Sequence, residues 1–396
     1  MLKGNALVGQ SGGPTSVINA SLQGVIRGVQ KSQAIETLFG MKFGIDGFMA
    51  GNMVNLSAQS EKVINGLSTT PSSALGSSRY KLKDEDLPKI RTVFEEHNIR
   101  FFFLIGGNDT MDTIHRIEAY CRLNGYELSG IGIPKTVDND LFGTDHTPGY
   151  PSAARYNALC VQQSGRLARD MQKVDSFVIY QTIGRDAGWL AAATALARKE
   201  DGDSPHLIYC PERPFNKDEF LEDAKACIEK WGFVSIVVSE GIKYPDGTPV
   251  SASEGQDKFG NTEYGAMGGS SVGLNVHRIL ADTTGLRGEF QITESLPMCA
   301  VDRAESGDVE RAAGCGTEAV RLASAGETGF MVSITRDESG KFGYGKAPLS
   351  DVAVRAKEMP EEMINERGND VTEAFLAYAR PLVSPLPEYV SLEEIK

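Results

Sequence analysis

The chain has no apolar run approaching the ~18 residues that mark a membrane-spanning helix, which argues against a membrane protein. Thiols and imidazoles are few: six Cys, at 121, 160, 210, 227, 299 and 315, and five His, with no Cys-x-x-Cys spacing. That scatter speaks against a disulfide framework or a zinc site. The cysteines read as reduced core or surface thiols, and the compartment as the cytoplasm. Positive charge is in deficit. Forty Lys and Arg face 53 Asp and Glu, a net charge of −13, which argues against nucleic acid as the main partner. A local cluster of Arg and Lys can still hold a phosphorylated substrate. The opening residues, Met1-Leu2-Lys3-Gly4-Asn5, lead straight into an apolar strand and do not read as a secretory signal. Internal repeats and low-complexity tracts are missing as well. What is present, 41% hydrophobic and 23% charged residues, suits a globular enzyme, and 396 residues suffice for two domains with their own cores.

Residues with chemistry gather in loops that follow short apolar runs. Residues 101–105 and 131–133 read as buried parallel strands, with a helically spaced stretch, 110–123, between them. After the first comes Gly106-Gly107-Asn108-Asp109-Thr110, and after the second Pro134-Lys135-Thr136-Val137-Asp138-Asn139-Asp140. Both loops therefore stand at the carboxyl ends of neighbouring strands, where open α/β sheets bind ligands. The glycine loop lets backbone amides approach a phosphate. The second loop brings a Lys, a Thr and two carboxylates together. That set suits phosphoryl transfer, which needs charge clamps, a metal and a base on the acceptor hydroxyl.

A similar pattern runs through the chain. A first strand, 6–9, meets a tight turn carrying Gly12 and Gly13, then a helix over 17–29 with Ser16 as a candidate cap. The turn reads equally as an anion site at a helix N-terminus or as a sharp connection without a ligand. Loop 74–79 carries Arg79, a phosphate clamp or a solvated surface residue. Helices are predicted over 87–96, 152–170, 218–230, 272–280, 308–323 and 374–379, with an alanine-rich one after Trp189. Strands are predicted over 177–180, 206–210, 234–238 and 288–296. The first of these ends in Ile183-Gly184-Arg185 and the third in Ser239-Glu240-Gly241. Residues 245–270, rich in Gly, Ser, Asp and Thr, read as a loop. Strand–helix alternation of this kind predicts a doubly wound α/β fold.

Five segments in one order resemble the phosphofructokinase family over roughly residues 4–330. They are Gly12-Gly13, Leu75-Gly76-Ser77-Ser78-Arg79, Gly106-Gly107-Asn108-Asp109, the Pro134 to Asp140 loop, and Ile183-Gly184-Arg185. The likeness is to the pyrophosphate-dependent branch. In ATP-using members the positions matching Asp109 and Lys135 are Gly. A carboxylate at 109 repels a nucleotide's α-phosphate, and an ammonium at 135 supplies a local cation for a small tetra-anion.

The resemblance implies two doubly wound, Rossmann-like three-layer domains with the active site in the cleft between them. Residues 1–140 with about 245–320 would bind pyrophosphate; about 141–244 with part of 321–396 would bind the sugar. It further implies Asp138 as the base, Thr136 touching the transferring phosphoryl, and Asp140 holding the surroundings of Asp138 and the sugar. Lys135 and Arg79 would clamp the donor, with Gly12, Gly13, Gly107, Asn108 and Asp109 around it. Ile183, Gly184, Arg185 and Glu240 would line the sugar site, with Arg185 stabilising transition-state charge. Mg²⁺ is the implied cofactor, near Asn108 and Asp109, and a homodimer or homotetramer the implied assembly.

Two departures from the family pattern stand out. Asn108 occupies the place of a metal-facing Asp, which moves charge to Asp109 and leaves pyrophosphate oxygens and water to supply most metal ligands. Pro297-Met298 replaces a Gln-Arg pair that holds the 6-phosphate of fructose 6-phosphate. Arg287 and Arg303 are the flanking cations that could compensate; a charge-assisted contact contributes about 1.5–3 kcal/mol. Three readings follow: a pyrophosphate-dependent phosphotransferase acting on fructose 6-phosphate, the same chemistry on a sugar or polyol without a distal phosphate, and a non-catalytic metabolite-binding regulator. The third is disfavoured because Asp138, Thr136, Lys135 and Arg185 are all present.

Overall fold

The computed structural model describes residues 2–78, 80–251, 271–390 and 392. These residues fold as two compact units, one holding residues up to 153 with 293–359, the other 154–292 with 360 onward. Residues 272–292, expected with the first domain, thus fold in the second unit, and 141–153, expected with the second, fold in the first. The predicted loop at 245–270 lies mostly outside the described residues.

Eleven strands are present among the described residues. They are β1 (Gly4–Gln10), β2 (Ile35–Met41), β3 (Met53–Asn55), β4 (Ile99–Gly106), β5 (Ser129–Pro134) and β6 (Phe177–Thr182). They continue with β7 (Leu207–Tyr209), β8 (Val234–Ser239), β9 (Gly288–Ile292), β10 (Phe330–Arg336) and β11 (Phe342–Pro348). The first unit builds a seven-stranded sheet in the order β11-β10-β5-β4-β1-β2-β3. Its central pairs are parallel, and β3 and β11 add antiparallel edges. The run of apolar residues in β4 follows from its place. Helices cover both faces, and Phe101, Phe102, Phe103, Leu104 and Ile105 are all buried.

One face packs against helices Ile18–Lys31 and Ser306–Ser324, the other against Leu87–Glu96, Asn108–Leu123 and the short Leu349–Val352. Glycines let the first pair of helices approach closely: a Cβ on Gly316 would lie 2.2 Å from Ser21 O. Chain order places β2 on one side of β1 and β4 on the other. The sheet therefore has its switch point between β1 and β4, and the loops leaving these two strands flank a ligand-binding crevice.

The second unit has a parallel four-stranded sheet, β7-β8-β6-β9, with helices Lys217–Trp231 and Val272–Thr284 in its core. Its switch point falls at β6, whose carboxyl end runs into Ile183-Gly184-Arg185.

The predicted helices and strands are found, with shifted ends. The first helix begins at Ile18, and its cap position is Val17, not Ser16, with no side-chain cap. The strand predicted over 288–296 stops at Ile292, and Leu296–Met298 forms a 3₁₀ turn with Pro297 buried. Sequence reasoning missed β2, β3 and the β10–β11 hairpin. Of these, β3 and β11 are the edge strands, exposed on one side and carrying a diluted apolar pattern, such as the Phe-Gly-Tyr-Gly-Lys of β11.

Candidate active site

Three loops of the first unit are tied together by named hydrogen bonds. Ser11 N donates to Ile105 O at 3.0 Å, and Lys135 N donates to Gly106 O at 3.0 Å, so the turns after β1, β4 and β5 leave the sheet side by side. Gly12 has φ +74°, which bends the chain sharply after β1. Its carbonyl accepts from Ser77 Oγ at 2.6 Å. Lys135 crosses from β5 and donates from Nζ to Gly13 O at 2.7 Å. The glycine loop and the Lys135 loop also meet, because Asn108 Nδ2 donates to Asp140 Oδ2 at 3.3 Å.

Within the Lys135 loop, Thr136 Oγ1 accepts the Asp138 N–H at 3.0 Å. Its own hydrogen is thereby left to donate elsewhere. Asn139 takes a left-handed conformation, φ +57°, and is fully buried, with its side-chain oxygen accepting from Thr147 N at 3.1 Å. That bend shapes the loop between Asp138 and Asp140. Asn is among the residues that tolerate it, a signal available in the Asp-Asn-Asp sequence. Lys135 is 5% exposed, and burial lowers its pKa to about 8, opposed by Asp138 and Asp140.

Sequence reasoning also missed the polar floor of the site. Thr15 Oγ1 and Ser16 Oγ, just past the Gly12-Gly13 turn, are buried with no hydrogen-bond partner among the described residues. Asn108 Oδ1 is buried and unpartnered in the same way. Asp109 stands exposed in the first turn of helix Asn108–Leu123. Arg79 lies outside the described residues.

The second unit contributes a separate turn. Gly184 has φ +132°; its N–H donates to Glu240 Oε1 at 3.1 Å, and its carbonyl accepts from Ser239 Oγ at 2.5 Å. Glu240 N donates to Thr182 O at 3.0 Å. Glu240 therefore shapes the Ile183-Gly184-Arg185 turn, whose Arg185 side chain is exposed.

Arg287 does not belong with these residues. Strand β9 runs parallel to β6 with Gly288 beside Phe177 and Ile292 beside Gln181, so Arg287 lies at the amino end of the sheet. The six residues of β6, roughly 20 Å of strand, separate it from the Ile183-Gly184 turn. There it faces solvent and pairs with Asp175 at 3.5 Å. Arg303 ends the turn Val301–Arg303, half-exposed and 3.7 Å from its neighbour Asp302. Met298 takes a different course: its Cε sits where a Cβ on Gly13 would lie 2.6 Å away. An apolar methyl thus covers the glycine turn. A cavity of about 420 Å³ in the second unit, lined by Arg166, Arg169, Lys199 and Ser204 among others, holds none of the predicted site residues.

No group of three or more His, Cys, Asp or Glu among the described residues could by itself hold a metal ion. The donor set that is present, the orphaned Asn108 carbonyl oxygen and the exposed Asp109 carboxylate, fits an ion carried mainly by its substrate.

Residues 5–294 match the phosphofructokinase family. The chain belongs to that family. It is 36% identical over 392 residues to a pyrophosphate–fructose 6-phosphate 1-phosphotransferase of Halomonas elongata, covering 97% of this chain and 92% of that one. It is 30% identical to a sulfofructose kinase of Alkalicoccus urumqiensis, covering 91% and 92%. The crystal structure of a pyrophosphate-dependent phosphofructokinase from Nitrosospira multiformis superposes with a TM-score of 0.88 at 33% identity, covering 99% of this chain and 98% of that one. The fold is the phosphofructokinase α/β fold, as the resemblance implied.

Proposed function

We propose that this phosphofructokinase-family protein transfers a phosphoryl group from pyrophosphate to fructose 6-phosphate, with Mg²⁺, in the cytoplasm. The observation that carries the reading is the buried Lys135 ammonium bonded to Gly13 O, with the Asp109 carboxylate on the adjoining loop. A cation enclosed at the glycine turn suits a compact, highly charged donor, and a carboxylate at position 109, exposed in the first turn of the helix after β4, disfavours a nucleotide. Gly12, Gly13, Gly107 and the hydroxyls of Thr15 and Ser16 offer further polar contacts to the donor, and Arg79 is assigned there from sequence.

Of the two loop carboxylates, Asp140 is committed to the Asn108 amide. By the family resemblance, the reading gives Asp138 the acceptor proton, Thr136 a hydrogen bond to the transferring phosphoryl, and Arg185 the developing charge. Asn108 and Asp109 would help hold the metal, which shields charge on the phosphates when bound. Ile183, Gly184 and Glu240 are read as acceptor contacts. No helix among the described residues is long and apolar enough to cross a membrane. Initial rates with pyrophosphate and ATP at matched concentrations test the donor; a clear preference for ATP overturns it.

One observation favours a second acceptor. With Pro297 buried and Met298 on Gly13, the two positions that match the family's Gln-Arg pair carry no cation, and Arg287 is remote from the Gly184 turn, which leaves Arg303 on the Val301–Arg303 turn as the remaining candidate. A sugar whose far end carries less charge than a phosphate dianion suits that surface better. A panel of sugars with and without a distal phosphate separates the two.

A further inference from the structure

The segment that follows the first unit's last helix passes directly under the Lys135 loop. Leu141 and Ala356 form an antiparallel bridge, and Lys357 N donates to Asp140 O at 2.7 Å. The Lys357 side chain turns inward, where its ammonium donates to Asp145 O. Asp145 is itself pinned: its N–H donates to Ile334 O at 2.9 Å, and its carboxylate takes Arg336 at 2.9 Å and His146 Nδ1 at 2.7 Å. The charged groups around the Lys357 ammonium are thus Asp140, Asp145 and Arg336. Burial holds its pKa down at about 8, opposed by the two carboxylates, so it is a cation at neutral pH.

An ionised carboxylate can only accept hydrogen bonds. Asp140 therefore dictates which end of the Asn108 amide it meets: Nδ2 faces Asp140, and Oδ1 is left buried and unpartnered among the described residues. We infer that Lys357 is a positioning residue for the donor site. It fixes the Asp140–Asp145 segment at two points, and through the Asp140 carboxylate it sets the Asn108 amide so that its carbonyl oxygen is the acceptor presented to the metal–donor complex. A displaced Asp140 would no longer impose that orientation. This inference rests on the proposed reading only in placing Asn108 at the donor.

A double-mutant cycle tests it, read as the dissociation constants of magnesium pyrophosphate and magnesium ATP by calorimetry and as kcat and KM in turnover. Lys357→Met should weaken binding of the better donor, or its kcat/KM, by about 10–100-fold, the usual range for a group that orients a ligand from behind. The KM of the acceptor should not move, and Lys357→Arg should recover most of the loss. In an Asn108→Ala background, Lys357→Met should cost no more than about twofold, because the group it acts through is gone. Additive losses, or a Lys357→Met enzyme equal to wild type, overturn the inference. If Lys357→Met does not fold, Lys357→Gln keeps a donor for Asp145 O without the charge and carries the same cycle. A wild-type protein that binds magnesium pyrophosphate without turning it over overturns the proposed function and leaves the cycle readable.

Discussion

Lys135 Nζ donates a 2.7 Å hydrogen bond to Gly13 O, so the loop after β5 and the turn after β1 meet through one buried ammonium. The consequence is a pH limit on donor binding. The pKa of Lys135, about 8, lies below its ordinary value of 10.5, because burial disfavours the charged form. The native cation is therefore lost as pH rises through about 8. In the free enzyme, kcat/KM for pyrophosphate should fall above that pH. Lys357, also near 8, contributes to the same limb. Lys135→Arg should move its share of the limb well into alkali, since guanidinium stays protonated to about 12. The linkage has the opposite sign for stability: the cost of the buried charges is relieved as pH rises from about 8 toward 10.5.

Asp138→Asn should abolish most turnover while donor binding, measured by calorimetry, stays close to wild type. A positioned base contributes about 10²–10⁴-fold, and the amide is isosteric. Retention of more than about a tenth of the activity would assign the proton elsewhere.

Donor choice should respond to the pair Asp109 and Lys135. Changing both to Gly removes the repelling carboxylate and the local cation together. The ratio of ATP to pyrophosphate rates should rise, chiefly through loss of the pyrophosphate rate. An unchanged ratio would remove these residues from the specificity argument.

The replacement of the family's Gln-Arg pair by Pro297-Met298 makes a kinetic prediction. Fructose 6-phosphate should be used with a high KM and an ordinary kcat, because a distal phosphate is a handle rather than a participant. Pro297→Gln with Met298→Arg should lower that KM by ~10-fold or more, the worth of one charge-assisted contact. A micromolar KM in the wild type, or no response to the double change, would show that other groups hold the phosphate.

Gly316→Ala should destabilise the first unit by about 1–3 kcal/mol, as overpacking does, in a urea titration. The added methyl would lie 2.2 Å from Ser21 O, where two helices cross on backbone atoms. An unchanged midpoint would mean the helices part without cost.

Much of this molecule is legible in its residues one segment at a time. Strands such as Phe101 to Ile105 are apolar throughout because helices cover both faces, and turns such as Gly12-Gly13 must be glycine where φ is positive. The loops after such strands carry Lys135, Thr136, Asp138 and Asp140 as a contiguous motif, so local spacing was enough to find them. Tertiary structure alone decided the rest. Arg287 and Arg303 looked equivalent as neighbours of Pro297, but parallel pairing of β9 with β6 puts Arg287 at the far end of its sheet. Lys357, some two hundred residues beyond Asp145 in the chain, carried no local signal, yet its ammonium binds that residue's carbonyl. Periodicity reports which side of an element is buried. Which distant backbone a side chain finally bonds is set by strand order and register, which no short window of residues contains.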